Sequence, residues 1–260
     1  MDSEQKGKIY IVGFGPGNHE HLTFRAKEAI EDAEVIIGYS TYIDLVSDLL
    51  VGKQVIPTGM QEEVERAKSA IAFAKEGKKV AVVSSGDAGI YGMAGLVYEV
   101  LHEEEWSPEH SFPVEVVPGV TAASSVASLV GAPLAHDFAA ISLSDLLTPL
   151  ETIYKRVEMA AAADFVIVLY NPKSGRRTKQ IEETQRIVLK HREPTTPVVI
   201  AKSVYREGEN IVMTDLAHML DYEMGMLTTV IIGNSTTFRS HDKIITPRGY
   251  SQKYTLGREE

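Results

Sequence analysis

Short apolar runs alternate with amphipathic stretches along the first half of the chain. The apolar runs have the length and composition of buried strands and lie at 8–13, 35–38, 54–57 and 79–83. The segments 23–33 and 62–76 predict helices, because Thr23 is a favourable N-cap residue and the apolar residues of the second segment repeat at helical spacing. Strands that alternate with helices predict a parallel, doubly wound sheet.

The pattern restarts around the proline- and acid-rich segment 106–118. Later strands are predicted at 114–117, 165–169, 197–201, 211–213 and 229–232, and helices at 121–130, 149–163 and 178–191. The last strands follow one another with little helix between them, which favours a mixed sheet. We therefore predict an α/β protein with an N-terminal domain at 1–112, a C-terminal domain at 113–245 and a tail at 246–260.

The segment 86–95 is rich in glycine and directly follows a predicted strand and two serines. Glycine lets a ligand approach the backbone closely, so the segment predicts a binding loop. Asp87 is interpreted either as a ligand-binding residue or as the cap of the following helix, and the glycines close behind it favour ligand binding. A second glycine loop, at 13–17, follows the first strand and is expected at the same edge of the sheet.

The charges around the 86–95 loop indicate which ligand it accepts. No lysine or arginine lies between Lys79 and Lys155, although this stretch contains many acidic residues. A polyphosphate site usually includes a cation, so a neutral or cationic ligand with ribose hydroxyls, such as S-adenosylmethionine, fits better than a nucleoside triphosphate. A dinucleotide site is disfavoured, because Asn18 stands where the dinucleotide-binding fingerprint has its third glycine.

Composition excludes several classes of function. The 260 residues carry a formal net charge of −10, which disfavours nucleic acid and anionic membranes as partners. The absence of cysteine excludes disulfides, cysteine-ligated iron–sulfur clusters and thiolate zinc sites. No third metal ligand accompanies His19 and His21, so no metal site is predicted. The polar start, Met1 to Lys8, and the lack of a membrane-length apolar run predict a cytoplasmic protein.

Two segments of the predicted C-terminal domain carry candidate binding groups. Residues 118–125 form a turn into a helix whose small and hydroxyl side chains either cap the helix or leave N–H groups for a carboxylate or carbonyl group. A basic loop begins at Lys173, and its Arg176, together with the later Arg206, is either a solvated charge or a contact for a substrate with several carboxylates.

The segment 136–145 is a candidate for catalysis. His136-Asp137 is more typical of a turn than of a catalytic pair, but Ser142 and Asp145 lie close behind it in the sequence. We name Asp145 and Ser142 as candidate catalytic residues for proton transfer.

Taken together, these motifs resemble the tetrapyrrole (precorrin) methylases of cobalamin synthesis, in the order of that family and over nearly the whole chain. The matching segments are 13–17, 22–23, 86–87, 118–121, 170–172 and 228–234. Within the family, the segments 86–94, 142–149 and 246–250 are most similar to the ring-contracting members, which methylate carbon 17 of precorrin-3B or cobalt-factor III. Leu150 departs from the tryptophan that relatives often carry.

The resemblance implies two α/β domains with S-adenosylmethionine in the cleft between them, and a homodimer. The residues it implies as contacts of the methyl donor are Pro16, Ser85, Gly86, Asp87, Ile90, Thr121, Ala122, Asn171, Ala201 and Thr229. The residues expected to contact the tetrapyrrole are Gly15, Lys173, Arg176 and Arg206. Any cobalt is expected to arrive with the macrocycle and not through protein ligands.

Three other functions remain open at this point. One is a methylase of the same architecture that acts on ribosomal RNA or on a protein side chain. The second is a nicotinamide-dependent oxidoreductase, and the third is a tetrapyrrole carrier without catalytic activity.

Overall fold

The computed structural model describes residues 7–257. Most of the polar start and the last residues of the predicted tail lie outside this range. Contacts between Cα atoms divide the chain into two compact units, one ending at Ala122 and the other beginning at Ala123. No helix within residues 7–257 has the length and apolar character that a bilayer span requires.

The N-terminal unit is built on a five-stranded sheet in which every strand runs parallel to its neighbours. The strands are β1 (Lys8–Gly13), β2 (Val35–Tyr39), β3 (Gln54–Thr58), β4 (Lys79–Ser84) and β5 (Val114–Val117), in the order β3-β2-β4-β1-β5. The helices are α1 (Phe24–Asp32), α2 (Ser40–Asp44), α3 (Glu63–Lys75) and α4 (Ala94–Glu103). The predicted parallel sheet is confirmed.

Both faces of this sheet are buried, because helices cover each of them. On one face, Val80 and Val82 of β4 share an apolar cluster with Ala67 of α3 and Val97 of α4. Side chains alternate along a strand, so the next residues of β4 pack on the opposite face, in a cluster that also contains residues of α1. Strands buried on both sides appear in the sequence as continuous apolar runs, which is why their positions could be predicted.

The C-terminal unit contains a mixed five-stranded sheet and a small three-stranded sheet. Its strands are β6 (Gly131–Ala132), β7 (Phe138–Ser142), β8 (Val166–Tyr170), β9 (Pro197–Lys202), β10 (Asn210–Asp215), β11 (Thr228–Ile232), β12 (Phe238–Ser240) and β13 (Lys243–Ile245). The larger sheet has the order β10-β9-β11-β8-β7, with β7 and β8 parallel and the other pairs antiparallel. The helices are α5 (Ala122–Val130), α6 (Leu150–Ala162) and α7 (Lys179–Val188). The predicted mixed sheet is confirmed.

The division between the units differs from the predicted one. The prediction placed the strand at 114–117 in the second domain, but β5 pairs in parallel with β1 and completes the first sheet. The predicted tail also differs at its start, because the Thr246 hydroxyl donates to the carbonyl oxygen of Pro133 at 2.7 Å and lies 2.9 Å from the Thr237 hydroxyl. Thr246 is therefore buried within the C-terminal unit.

Candidate functional site

Three loops meet at the carboxyl edge of the N-terminal sheet, where β1, β4 and β5 end. The loop after β1 and the loop after β4 exchange two backbone hydrogen bonds: Gly15 N–H donates to Gly86 O at 3.0 Å, and Gly86 N–H donates to Gly15 O at 2.7 Å. Gly15 and Gly86 both have positive φ angles, +78° and +72°, which glycine adopts without strain. Open α/β sheets bind ligands at this edge.

The loop after β5 packs against the other two through Gly119. A Cβ atom at this position would lie 2.2 Å from Gly86 O and 2.4 Å from Gly13 O, distances that no side chain tolerates. The three loops therefore touch backbone to backbone. On the other side of the 86–95 loop, a Cβ at Gly86 would lie 3.9 Å from Thr121 Cα and Ala122 N, which is ordinary van der Waals contact.

Asp87 connects two of these loops through hydrogen bonds. Its Oδ1 accepts a hydrogen bond from Gly89 N–H at 2.8 Å, and its Oδ2 accepts one from Gly119 N–H at 3.0 Å. Helix α4 begins only at Ala94, so Asp87 does not cap it directly. The sequence left a choice between ligand binding and helix capping; the observed contacts are a third arrangement, in which the carboxylate holds the loops in place.

Six of the ten predicted donor contacts lie on these three loops, and a seventh, Ala122, directly follows the third loop as the first residue of α5. The seven are Pro16, Ser85, Gly86, Asp87, Ile90, Thr121 and Ala122. Pro16 is buried, and Ser85, Gly86, Asp87, Thr121 and Ala122 are half-buried. Ile90 is exposed, and the adjacent Tyr91 has a φ of +53°, which is uncommon for a residue with a side chain. Their contact with a donor stays a prediction.

In the C-terminal unit, Ser142 and Asn171 lie side by side at the carboxyl ends of β7 and β8. Asn171 Nδ2 donates to Ser142 Oγ at 3.1 Å, and Ser144 N–H donates to the same oxygen at 3.2 Å. Asn171 has a φ of +51°, a left-handed conformation that asparagine adopts more readily than most residues. Both lone pairs of the Ser142 hydroxyl are thus occupied by donors, which leaves its proton for another acceptor.

Asp145 belongs to the same group of side chains. Its Oδ2 accepts from Gln180 Nε2 at 3.3 Å, and its Oδ1 lies 3.9 Å from Arg177 Nε. Arg177 also donates from Nη1 to the carbonyl oxygen of Asn171 at 3.2 Å. The two candidate catalytic residues are therefore connected through Asn171 and Arg177.

Arg177 belongs to the basic loop that begins at Lys173, whose charges the sequence analysis left open as solvated groups or substrate contacts. The prediction named Arg176 as a substrate contact, but the structure leaves Arg176 exposed and turns the neighbouring Arg177, whose side chain is 17% exposed, toward Asp145. In the sequence both arginines belong to the same basic loop, and nothing in the pattern separates them. Lys173 and Arg206 are half-buried.

The remaining predicted donor contacts, Ala201 and Thr229, are register partners on neighbouring strands β9 and β11. Both are buried. Because β11 runs antiparallel to β8 and β9, Thr229 near its start lies at the same edge of the sheet as Asn171 beyond the end of β8. The sheet thus brings Asn171, Ala201 and Thr229 to one edge.

His19 and His21, just after the first glycine loop, each contact a polar side chain. His19 Nε2 lies 3.2 Å from Asp48 Oδ1, and His21 Nδ1 lies 2.8 Å from Asn18 Oδ1. Within residues 7–257 no three His, Cys, Asp or Glu side chains are grouped so as to hold a metal ion.

Comparison with known proteins identifies relatives of this chain. The chain is 60% identical over 255 residues to the cobalt-factor III methyltransferase of Priestia megaterium, covering 98% of this chain and 47% of that protein. It thus spans about half the length of that relative. It is 46% identical over 244 residues to a probable cobalt-factor III C(17)-methyltransferase of Salmonella typhimurium, covering 94% of this chain and 99% of the relative.

A solved structure is also similar to this chain. Uroporphyrin-III C-methyl transferase from Thermus thermophilus, in complex with S-adenyl homocysteine, has a TM-score of 0.64 and 26% identity, covering 87% of this chain and 97% of its own. The model of the Tetrapyrrole (Corrin/Porphyrin) Methylases matches residues 8–220. The predicted resemblance and the prediction of a methyltransferase are confirmed: the chain belongs to the tetrapyrrole (corrin/porphyrin) methylases.

Proposed function

We propose that this chain transfers a methyl group from S-adenosylmethionine to carbon 17 of cobalt-factor III, or of the corresponding precorrin-3B, with contraction of the macrocycle, in cobalamin biosynthesis. The names of the Priestia and Salmonella relatives support this substrate class. The observation that carries the proposal is the backbone-to-backbone packing of three glycine loops at the carboxyl edge of a parallel sheet.

These loops fit an adenosyl sulfonium. A Cβ at Gly86 would make ordinary van der Waals contacts with Thr121 and Ala122, whereas at Gly13 and Gly119 it would clash with neighbouring backbone. The surrounding stretch between Lys79 and Lys155 supplies no cation that would attract a polyphosphate or repel a sulfonium. The Thermus neighbour crystallised with S-adenyl homocysteine supports the same donor.

When bound, the donor supplies an electrophilic methyl group. The task of this chain is then to align the accepting carbon with that methyl group and to exclude water. Asp87 and the Gly15–Gly86 backbone hydrogen bonds hold the loops in one conformation before any ligand binds. Ligand binding therefore does not have to include the entropic cost of ordering these loops.

Ring contraction requires proton movements, and we assign these to the group around Ser142. Its hydroxyl accepts from Asn171 and Ser144, which leaves its proton for donation to a substrate oxygen. Asp145, whose carboxylate is held by Gln180 and Arg177, is the second candidate for proton transfer.

The remaining expectations belong to the same proposal. Gly15, Lys173, Arg176 and Arg206 are proposed contacts of the polycarboxylate substrate. A cytoplasmic homodimer without nucleic-acid or membrane partners is proposed from the family resemblance and from the net charge of −10. Light scattering on the purified chain measures its mass in solution, and a homodimer is expected to have twice the mass of one chain.

The activity is tested by incubating the purified chain anaerobically with cobalt-factor III and S-adenosylmethionine that carries a labelled methyl group. We expect one label per macrocycle, at carbon 17, and a product whose absorbance spectrum and fragmentation report ring contraction. A parallel incubation with metal-free precorrin-3B decides whether the substrate must carry cobalt.

The rival functions give different results in the same assays. A label found in ribosomal RNA or protein, with none in the tetrapyrrole, would replace the substrate proposed here. Tight binding of NAD without binding of S-adenosylhomocysteine would exclude the methyl donor, and a bound tetrapyrrole that never acquires label would indicate a carrier.

A further inference from the structure

Arg66 is a buried arginine in the first turns of α3, beside the far end of the 86–95 loop. Its side chain donates from Nε to Thr58 Oγ1 at 2.7 Å, from Nη2 to Gly59 O at 3.1 Å and from Nη1 to Met93 Sδ at 3.3 Å. The residue is 5% exposed. A guanidinium has five N–H donors, so one N–H on each terminal nitrogen has no acceptor in the described part of the chain.

No carboxylate neutralises this guanidinium. Within residues 7–257 none of the ion pairs includes Arg66, and its three acceptors are a hydroxyl, a carbonyl and a thioether. The groups whose negative charge attracts it are Glu63, Tyr42 and Glu62, and the Glu62 carboxylate already accepts a hydrogen bond from Gly59 N–H at 2.6 Å. Burial outweighs the attraction of these groups and lowers the pKa of Arg66.

Arg192, the other buried arginine among the described residues, has a structural role and serves as a comparison. Arg192 lies 3.0 Å from Asp164 Oδ1 and donates to the carbonyl oxygens of Ala161 and Phe165. A buried charge costs free energy unless it is paired, so Arg192 has the partner that Arg66 lacks. An uncompensated buried cation is the environment in which an anionic group binds most strongly.

Arg66 also stands at the ligand-binding edge of the sheet. Thr58 is the last residue of β3, and Met93 is the last residue before α4. Ser84, the last residue of β4, shares the strand face of Val80 and Val82, which is the face covered by α3. The Ser84 hydroxyl is buried and has no hydrogen-bond partner within residues 7–257, so this face carries an unpartnered polar group in addition to the two remaining N–H groups of Arg66.

We propose that Arg66 forms a binding position for one carboxylate of a ligand that lies against the 86–95 loop. The inference rests on the proposed function, because that function supplies two carboxylate sources: the side chains of the tetrapyrrole and the amino-acid end of the methyl donor. The two remaining N–H groups of Arg66 donate to one carboxylate oxygen each, the geometry in which arginine binds carboxylates most strongly.

The test compares Arg66→Met with Lys68→Met, which removes an exposed charge from the same helix. Calorimetry measures the affinity of each variant for S-adenosylhomocysteine and for 5′-methylthioadenosine, which lacks the amino-acid carboxylate, and absorbance titration measures the affinity for cobalt-factor III. We expect Arg66→Met to weaken the binding of one carboxylate-bearing ligand by roughly tenfold to a hundredfold and Lys68→Met to leave all affinities unchanged.

The pattern of losses identifies the source of the carboxylate. Weaker binding of cobalt-factor III alone assigns the tetrapyrrole, and weaker binding of S-adenosylhomocysteine with unchanged 5′-methylthioadenosine assigns the donor. Equal weakening of both adenosine ligands means that Arg66 acts only by holding Met93 and overturns the proposal, as do unchanged affinities.

A further variant covers the case in which Arg66→Met does not fold. Arg66→Gln keeps a neutral donor for Thr58 or Gly59 but removes the charge, and it is expected to show the same selective loss of affinity. If the wild-type chain binds neither cobalt-factor III nor S-adenosylhomocysteine, the proposed function and this inference both fail. If it binds them and the variants do so equally well, only the inference fails.

Discussion

Replacing Gly119 by alanine tests whether the packing of the three glycine loops holds the site together. The new Cβ would lie 2.2 Å from Gly86 O and 2.4 Å from Gly13 O, whereas such carbon–oxygen contacts need about 3.3 Å, so one loop must move by about 1 Å. Both oxygens belong to the backbone and cannot rotate away. Overpacking of this kind costs about 1–3 kcal/mol, and displacement of the Asp87 hydrogen bond to Gly119 adds about 1 kcal/mol.

We therefore expect Gly119→Ala to lower Tm by roughly 5–10 °C and to weaken S-adenosylhomocysteine binding by about tenfold or more. Circular dichroism and calorimetry measure the two effects. The control is Gly95→Ala near the start of α4, where a Cβ meets nothing within 4 Å and alanine should stabilise the helix by roughly 0.5–1 kcal/mol. Wild-type stability and affinity in Gly119→Ala would refute the reasoning.

Three further predictions follow from single contacts. Arg192→Met should destabilise the C-terminal unit by about 3 kcal/mol in denaturant titration, because it removes the ion pair with Asp164 and the hydrogen-bond donor of two carbonyl oxygens. Asp87→Asn should weaken S-adenosylhomocysteine binding in calorimetry, since an amide cannot accept from two backbone N–H groups with both of its atoms. Lys79 lowers the pKa of Asp32, so the stability contributed by this carboxylate is present above about pH 4 and is lost as pH falls further; Asp32→Asn should flatten acid unfolding there.

The centre of the N-terminal sheet could be predicted from the sequence because β1, β2 and β4 are buried on both faces and leave unbroken apolar runs. The assignment of β5 could not, because the sheet to which a strand belongs depends on a partner far away in the sequence, here β1. The strand β7 was missed for a different reason: Phe138–Ser142 consists largely of small residues and has only one side chain fully buried. Its position beside β8 is fixed by pairing between the two strands, which the residues of β7 alone do not reveal.

The same limit applies to the charged residues of the candidate site. Arg66 occupies a position on α3 where the apolar pattern formed by Val64, Ala67 and Ile71 continues around it, so the sequence presents it as a solvated charge on an amphipathic helix. Only the meeting of α3 with Thr58 and the end of the 86–95 loop shows that it is buried. A local pattern reports which residues share a helix face, but burial of a long side chain depends on what packs over it.

Asp87 shows how a motif can identify a site while leaving the role of its residues open. An acid beside glycines at the end of a strand is expected both in a ligand contact and in a structural clamp, because both need a carboxylate close to exposed backbone N–H groups. The observed bonds to Gly89 and Gly119 occupy one carboxylate oxygen each, so a ligand that contacts Asp87 must share those oxygens. The loop geometry therefore depends on this carboxylate whether or not the methyl donor contacts it. A loss of donor affinity in an Asp87 variant is explained first by the changed conformation of the loops.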